Sequence, residues 1–333
     1  MKKILLSLLL AGGVQNSFAI KVDPANSRVT KSDFTESDLL ELNKQLLEAA
    51  KCGNTEVVKD LIVRGAEVNA SNNRGETALM MAAQEGNTEM AQLLIDAGAD
   101  VNASNSARYT SLITAATWGY TEIVKLLITA GADINARSNS GWTALMKATE
   151  CGRTGTVQLL IAAGTDVNAR DNDGETALMW AAKSGRTQLV QLLIASGADV
   201  NARKNHYWTA LICAARNGYT EIAQLLIAAG ADLNAKDNFG ITALISASKN
   251  GYTEISKLLI TAGADVNAKN KYGDTALMWS TSRNRTEIVK LLIAANADVN
   301  ARDDNRGWTA LMIAVERGHT EIAKLLRDAG ASE

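Results

Sequence analysis

Apolar and polar positions along this chain form a pattern that returns every 33 residues. Within the block 75–107, Leu79 and Ala83 fall on one face at helical spacing, and Met90 and Leu94 form a second apolar stripe. Each stripe is short, and a glycine and polar residues separate the two. The pattern therefore predicts two short amphipathic helices in every block, joined by a tight turn.

Residues suited to begin and end helices lie at the edges of both stripes. Thr77 precedes the first stripe, and its hydroxyl can accept a hydrogen bond from a free backbone N–H. Thr88 is expected to cap the second helix in the same way. Gly86 and Gly98 follow the two stripes, where a left-handed residue ends a helix. The polar stretch 100–108 then leads into the next block as an extended loop or a hairpin tip.

The threonine that opens each first helix shows how regular the chain is. It recurs at Thr77, Thr110, Thr143, Thr176, Thr209, Thr242 and Thr275, and after one step of 34 residues at Thr309. A fixed period of this length is typical of a solenoid, in which each unit packs only against its neighbours. We count nine units from Leu42 onward and predict an all-α array whose first and last units act as polar caps.

The repeated phrases resemble the ankyrin repeat. They are a Thr-x-Leu start, a double alanine, a Gly-x-Thr-Glu turn, a Leu-Leu-Ile stripe and a Gly-Ala-Asp-Val-Asn-Ala end, and they cover residues 42–331. The resemblance implies stacked helix-turn-helix units with projecting β-hairpin or loop fingers. It also implies that the array binds partner proteins through a concave groove lined by first helices and fingers.

One departure from the family pattern is consistent. The usual Thr-Pro-Leu-His start is Thr-Ala-Leu-Met or Thr-Ala-Leu-Ile in most units of this chain. Apolar packing is expected to replace the polar link that the histidine can make, and the fold should survive. The residues at that place are Met80, Ile113, Met146, Met179, Ile212, Ile245, Met278 and Met312.

The first nineteen residues differ from the rest. Lys2 and Lys3 precede an apolar run from Ile4 to Val14, and Ser17-Phe18-Ala19 offers small residues before a cleavage point. We interpret 1–19 as a secretory signal peptide, 20–37 as a flexible leader and 38–333 as the array. The alternatives are a membrane anchor, for which the run is shorter than the roughly 20 residues needed, and a cytosolic start that is apolar by chance.

Charge and cleavage together bear on location and partners. Removing Lys2 and Lys3 takes the net charge from −2 to about −4, which gives no indication of nucleic-acid binding. We expect an exported protein, in the periplasm or outside the cell, without membrane insertion after signal cleavage. We also expect a monomer.

The three cysteines are predicted to be free thiols. Cys52 and Cys151 hold the same place in units three apart, and helix layers are spaced about 8–10 Å. A disulfide needs Cα atoms within about 7 Å. Cys213 holds a different place, two units further on. An intermolecular bridge or a reactive thiol is the alternative.

No pattern in the chain favours catalysis. The only histidines, His206 and His319, lie in distant units, and no cluster has metal-ligand spacing. The glycines follow the repeat and form no phosphate-binding loop. The periodic aspartates that begin with Asp100 are interpreted as turn hydrogen-bond acceptors. We therefore expect no enzyme activity, no cofactor and no metal.

The residues that break the period are the candidates for binding. Places are counted from the position of Gly75, the first residue of its unit. The candidates occupy the finger tip, at the second place, and the seventh, tenth and eleventh places, of which the last three share a helix face. Because the seventh place accepts Lys, Ser and Trp, it is predicted not to be tightly buried. The candidate partner-binding residues are Tyr109, Trp118, Trp142, Trp180, Lys183, Trp208, Arg216, Lys249, Trp279, Arg283, Trp308 and Arg317.

All six tryptophans belong to this set, and tryptophan is a frequent binding anchor. The basic residues among them suggest a protein partner with an acidic, partly apolar surface. Three alternatives remain: tryptophans that only stabilise the stack, a carbohydrate or small-ligand site, and a secreted host-directed effector.

The fourth unit, 141–173, is predicted to be the softest joint. Gly155 stands near the start of its second helix, where helical glycine costs about 1 kcal/mol. Thr149 and Thr165 replace alanines in the same unit. In the eighth unit Asn284 and Asn296 replace turn glycines, which we interpret as a conservative change.

Overall fold

The computed structural model describes residues 35–332, and within this range it contains eighteen α-helices and no β-strand. The helices form nine helix-turn-helix units, so odd-numbered helices are the first and even-numbered helices the second of each unit. They are α1 (Glu36–Lys51), α2 (Thr55–Val63), α3 (Ala78–Glu85), α4 (Thr88–Asp96), α5 (Ser111–Trp118), α6 (Thr121–Thr129), α7 (Ala144–Glu150), α8 (Thr154–Ala162), α9 (Ala177–Lys183), α10 (Thr187–Ala195), α11 (Ala210–Asn217), α12 (Thr220–Ala228), α13 (Ala243–Asn250), α14 (Thr253–Thr261), α15 (Ala276–Ser282), α16 (Thr286–Ala294), α17 (Ala310–Glu316) and α18 (Thr320–Asp328).

The expected signal peptide, 1–19, and most of the expected leader, 20–34, lie outside the described residues. The end of that leader is already structured, because α1 begins at Glu36, two residues before the expected start of the array at Asp38. Thr35 caps it, accepting a hydrogen bond from the Asp38 backbone N–H at 3.2 Å. Between residues 35 and 332 no helix is both long and apolar enough to cross a bilayer.

Threonine caps the first helix of every unit from the second to the ninth, as predicted. The Thr77 hydroxyl accepts from the Met80 N–H at 3.4 Å, and the equivalent bond at Thr309 reaches Met312 at 3.3 Å. The prediction that Thr88 caps a second helix is wrong. Thr88 is already helical, and Asn87 caps α4 through the Met90 N–H at 3.0 Å.

Left-handed residues end the helices where glycine predicts them. Gly86 has φ 74° after α3 and Gly98 has φ 87° after α4. Asn284 and Asn296 adopt φ 56° and 61° at the same two places of the eighth unit. Asparagine therefore preserves the turn, as predicted.

A continuous apolar core runs through the stack between the two helix layers. The residues in place of the family histidine are buried in seven units, and Ile113 is 0% exposed. Met312, in the last unit, is half-buried. The apolar replacement of the histidine therefore fits the fold.

The fingers between units are linked by hydrogen bonds. The Asn102 Oδ1 accepts from the Asp133 N–H at 2.7 Å, and its Nδ2 donates to the Gly131 carbonyl at 3.3 Å. The aspartates accept turn bonds as predicted, since Asp100 Oδ1 lies 2.9 Å from the Asn102 nitrogen. Asparagines at the equivalent places repeat this link along the array, and they hold neighbouring fingers in register.

Hairpin character in the fingers is slight. Isolated antiparallel bridges join Ser71 to Thr77 and Ser104 to Thr110. In the finger before α11, Asn205–Tyr207 forms a short 3-10 helix in which His206 and Tyr207 have positive φ. Tyr207 takes the place that glycine holds in most units, so this finger is the most distorted.

The two ends of the array are only partly polar. In α1, Glu41, Lys44 and Gln45 are exposed as predicted. However, Leu40 is 71% exposed, and Val315 in the last unit is 52% exposed. Valine there stands at the ninth place, which the next unit covers elsewhere, so the prediction of polar outer faces is incomplete.

Candidate binding surface

The candidate residues lie on fingers and first helices, and together they form what we name the variable surface. Trp142, Trp208 and Trp308 lie at finger tips beside the capping threonines, while Trp180 and Trp279 project from α9 and α15. These five side chains are half-buried. Trp118, at the end of α5, is 51% exposed, and Tyr109 is half-buried in the finger before it.

A lysine or arginine lies over five of the six tryptophan rings. The distances from Nζ to the ring centroid are 3.7 Å for Lys147 on Trp142, 4.2 Å for Lys183 on Trp180, 5.3 Å for Lys204 on Trp208 and 4.1 Å for Lys249 on Trp279, and from Cζ they are 4.6 Å for Arg216 on Trp208 and 5.3 Å for Arg306 on Trp308. Such contacts attract a cation to the negative face of the ring. Aromatic and basic candidates are therefore paired.

Some tryptophans also stabilise the stack. The Trp142 ring of the fourth unit lies 4.6 Å from the Trp180 ring of the fifth, at an interplanar angle of 41°. Trp142, Trp208 and Trp279 pack against the apolar core. Part of the set thus contributes to packing between units, and these rings also retain exposed area.

Two lysines pair with one buried carboxylate in the fifth unit, and an arginine of the sixth unit shares a tryptophan ring with one of them. Glu175 is 5% exposed, and its Oε1 lies 2.5 Å from Lys204 Nζ and 3.6 Å from Lys183 Nζ. Arg216 and Lys204 both lie over Trp208. We name Glu175, Lys183, Lys204 and Arg216 the central cluster.

Comparison with known families agrees with this architecture. Residues 46–138, 130–204, 202–270 and 244–332 match the family described as Ankyrin repeats (3 copies). The chain belongs to the ankyrin-repeat family. Ankyrin repeats are in general protein–protein interaction modules and are typically not enzymes. No curated protein matches the chain.

At the seventh place of the ankyrin repeat, two residues are more buried than predicted. Cys213 is 2% and Ser246 is 6% exposed, whereas Met81 and Lys147 are half-buried at the same place. The small Thr114 is also half-buried at this place, so side-chain length alone does not decide burial. The prediction that the place is not tightly buried is therefore wrong at Cys213 and Ser246.

The two tryptophans at the seventh place carry an unusual polar group. The indole Nε1 of Trp180 and that of Trp279 are buried and have no hydrogen-bond partner among the described residues. A buried N–H without a partner costs free energy of about 1–3 kcal/mol. These rings are thus held by packing and by their cations alone.

The three cysteines of the ankyrin array are free thiols with different surroundings. Cys52 is exposed, Cys151 is half-buried and Cys213 is buried. Burial raises the pKa of the Cys213 thiol to about 11, and all four residues of the central cluster act on the same pKa. Because a thiol reacts as the thiolate, Cys213 is the least reactive of the three.

The remaining ankyrin candidates do not join one pocket. Arg283 and Arg317 are exposed, and neither has an ion-pair partner among residues 35–332. At the other end, Glu76 and Glu85 line a depression of about 290 Å³ together with Lys51. The set is a row along the array, acidic at the start and basic toward the end.

Sequence reasoning did not include two cations of the ankyrin surface. Lys147 lies over Trp142, and Lys204 pairs with Glu175. Lys204 precedes Trp208 by four residues in the same finger, which was the available signal. No group of three or more His, Cys, Asp or Glu side chains among residues 35–332 has an arrangement that could hold a metal ion.

Proposed function

We propose that this protein is a non-enzymatic binding module that holds a partner protein in a concave groove formed by its variable surface. The observation that carries the proposal is the row of six tryptophans on the fingers and first helices, of which five are half-buried and paired with a cation. Tryptophan and arginine are the residue types most enriched among strong binding contacts.

The packing of the two helix layers supports a groove on the first-helix side. Neighbouring first helices contact each other more extensively than neighbouring second helices do. When one layer of a stack is packed more closely, the stack curves toward that layer. The variable surface then lies on the inner side of the curve, where several repeats can touch one ligand at once.

The cation contacts favour a protein partner over a carbohydrate. Sugars stack on open aromatic faces, and a lysine or arginine covers part of the face of five of the six tryptophans. Cations held this way attract carboxylates. We infer a partner whose contact surface combines acidic and apolar side chains.

The first experiment replaces Trp180, Trp208 and Trp279 together by leucine. Leucine keeps apolar contact with the core but removes the ring and its cation contact, so we expect affinity for a crosslinked and purified partner to fall at least about tenfold. Binding is measured by calorimetry, and helicity and thermal unfolding are measured by circular dichroism.

Two controls make this experiment decisive. Phenylalanine at the same three positions retains an aromatic face and should keep intermediate affinity. Lys257→Gln, on the exposed side of the second helix α14, should bind like the unaltered protein. A folded leucine variant with full affinity would refute the groove. Tryptophan quenching by a panel of oligosaccharides, stronger than by the partner, would favour the carbohydrate alternative.

We further infer that the module works outside the cytoplasm. The support is the sequence pattern of residues 1–19, with two lysines, an apolar run and the small residues Ser17 and Ala19 before the expected cleavage point. Cells are fractionated and the N-terminus of the protein is sequenced; the expected start is Ile20 in the periplasm or the culture medium. A cytoplasmic protein that still begins with Met1 would contradict export, and protein found in the medium would favour the secreted effector.

A further inference from the structure

The central cluster contains more positive than negative charge. Lys183, Lys204 and Arg216 carry three positive charges, and Glu175 supplies one carboxylate. Arg216 has no ion-pair partner among residues 35–332, and its only charged or aromatic contact there is the Trp208 ring. Glu175 balances one of the three positive charges, and two positive charges of the cluster remain unbalanced.

The cations of the cluster are held in place before any ligand arrives. Both lysines approach the same oxygen, Oε1 of Glu175. Lys183 also lies over the Trp180 ring, and Arg216 lies over the Trp208 ring. The Lys204 side chain is only 20% exposed and that of Lys183 is 45% exposed. Charges ordered at a partly dry surface interact more strongly with an anion than free side chains in water do.

Asp171, in the same finger as Glu175, does not neutralise the excess. Asp171 is buried, and its Oδ1 accepts the backbone N–H of Asp173 at 2.9 Å and of Glu175 at 2.8 Å. Burial raises the pKa of Asp171, and the hydrogen bonds from those two N–H groups oppose the rise. The carboxyl group therefore accepts hydrogen bonds within its own finger. The exposed Asp173 has no ion-pair partner among the described residues.

We propose that the central cluster is the anchor for one carboxylate of the partner, the side chain of an Asp or Glu flanked by apolar residues. This inference rests on the proposed binding function of the same surface. Glu175 acts as a built-in counter-ion that keeps the two lysines ordered in the free protein. The incoming carboxylate binds between Arg216 and Lys183 and balances the remaining charge, and Trp180 and Trp208 receive the flanking apolar side chains.

The surroundings favour an isolated carboxylate over a polyanion. Acidic side chains lie further along the row on both sides, with Glu150 paired to Lys147 at 3.1 Å and Asp274 in the eighth unit. Nucleic acid carries a charge every few ångströms and would meet these carboxylates. An extended peptide with one or two acidic residues meets only the cluster.

The test uses the full array with ¹⁵N-labelled tryptophan, which gives one indole N–H signal for each of the six rings. The probe is an acetylated and amidated peptide with one glutamate flanked by leucines, and the matched control peptide has glutamine for that glutamate. The indole signals of Trp180 and Trp208 should shift with the glutamate peptide and not with the glutamine peptide. Equal shifts with both peptides would overturn the proposal.

Two variants then give opposite results. Arg216→Gln removes an unpaired cation and should weaken binding of the glutamate peptide about tenfold. Glu175→Gln keeps a side-chain oxygen that accepts from Lys183 and Lys204 and so keeps them ordered, but it removes the competing negative charge, and it should tighten binding of the glutamate peptide about threefold. Lys257→Gln has no effect. A Glu175→Gln protein that is folded and binds no more tightly would contradict the role of Glu175 and with it the anchor.

Further arms separate this proposal from the binding function on which it rests. If single-stranded DNA or inorganic phosphate displaces the glutamate peptide at equal charge concentration, the site is a general anion site and the carboxylate anchor is wrong. If the purified partner loses affinity for the triple leucine variant but not for Arg216→Gln, the groove stands and the anchor fails. If the triple leucine variant retains full affinity, the groove itself fails.

Discussion

At the scale of single residues, the glycines of the fourth unit serve two different purposes. Gly155 lies in the first turn of α8, and an added Cβ would meet only Thr121 Oγ1, at 3.7 Å. Gly152 has φ 70°, and an added Cβ would lie 2.9 Å from Arg186 Cζ. The first glycine is thus a weak point in a helix, whereas the second is required by the turn.

Gly155→Ala should therefore stabilise the protein by about 0.5–1 kcal/mol, because alanine loses less backbone entropy on folding than glycine does. Gly152→Ala is the matched control and should destabilise it by at least about 1 kcal/mol, because an L side chain at positive φ is strained. Urea unfolding followed by circular dichroism gives both values. Equal effects of the two changes would show that the conformations assigned to these glycines are incorrect.

At the scale of helices and units, the weak points concentrate at the ninth place of the unit, which lies in the first helix. Alanine holds this place in several units, but Thr149, Ser248 and Thr281 have fully buried hydroxyl groups without a hydrogen-bond partner among the described residues. A buried polar group of this kind costs about 1–3 kcal/mol. The fourth unit combines one such hydroxyl with the helical Gly155, whereas Thr165 donates a bond to Asn135 Oδ1 at 3.2 Å.

Hydrogen exchange should show this difference between units. We expect the helix amides of the fourth unit, 141–173, to exchange faster than those of the fifth and sixth units, 174–239, because each unit is stabilised only by itself and its two neighbours. Mass spectrometry of peptic fragments measures this. Equal protection in the three units would mean that Gly155 and Thr149 do not lower local stability.

At the scale of the whole molecule, regular stacking turns scattered residues into a surface. The asparagines that link the fingers and the buried leucines of the first helices fix the orientation of each unit relative to the next. Residues 33 positions apart therefore lie on the same face of the array. A row of tryptophans, cations and carboxylates results along the array. The acidic end around Glu76 and Glu85 and the basic residues Arg283 and Arg317 lie toward opposite ends of this row.

Much of the fold could be predicted because its signals are local. The threonine caps, the left-handed glycines and the helical spacing of leucine and alanine depend on neighbouring residues in the chain, and the structure confirms them. The cap of α4 was assigned one residue too late because Asn87 and Thr88 are both suitable cap residues and the sequence does not show where helical φ and ψ begin.

The sequence by itself determined the repeat, its length, the two helices of each unit and the places that vary. Only the tertiary structure decided how the variable residues meet. Glu175 and Lys204 are 29 positions apart, and their contact depends on how closely one finger lies against the next. The burial of Cys213 has the same origin. Helix formation follows from local backbone preferences, whereas charge pairing and burial follow from distances that exist only once the units are stacked.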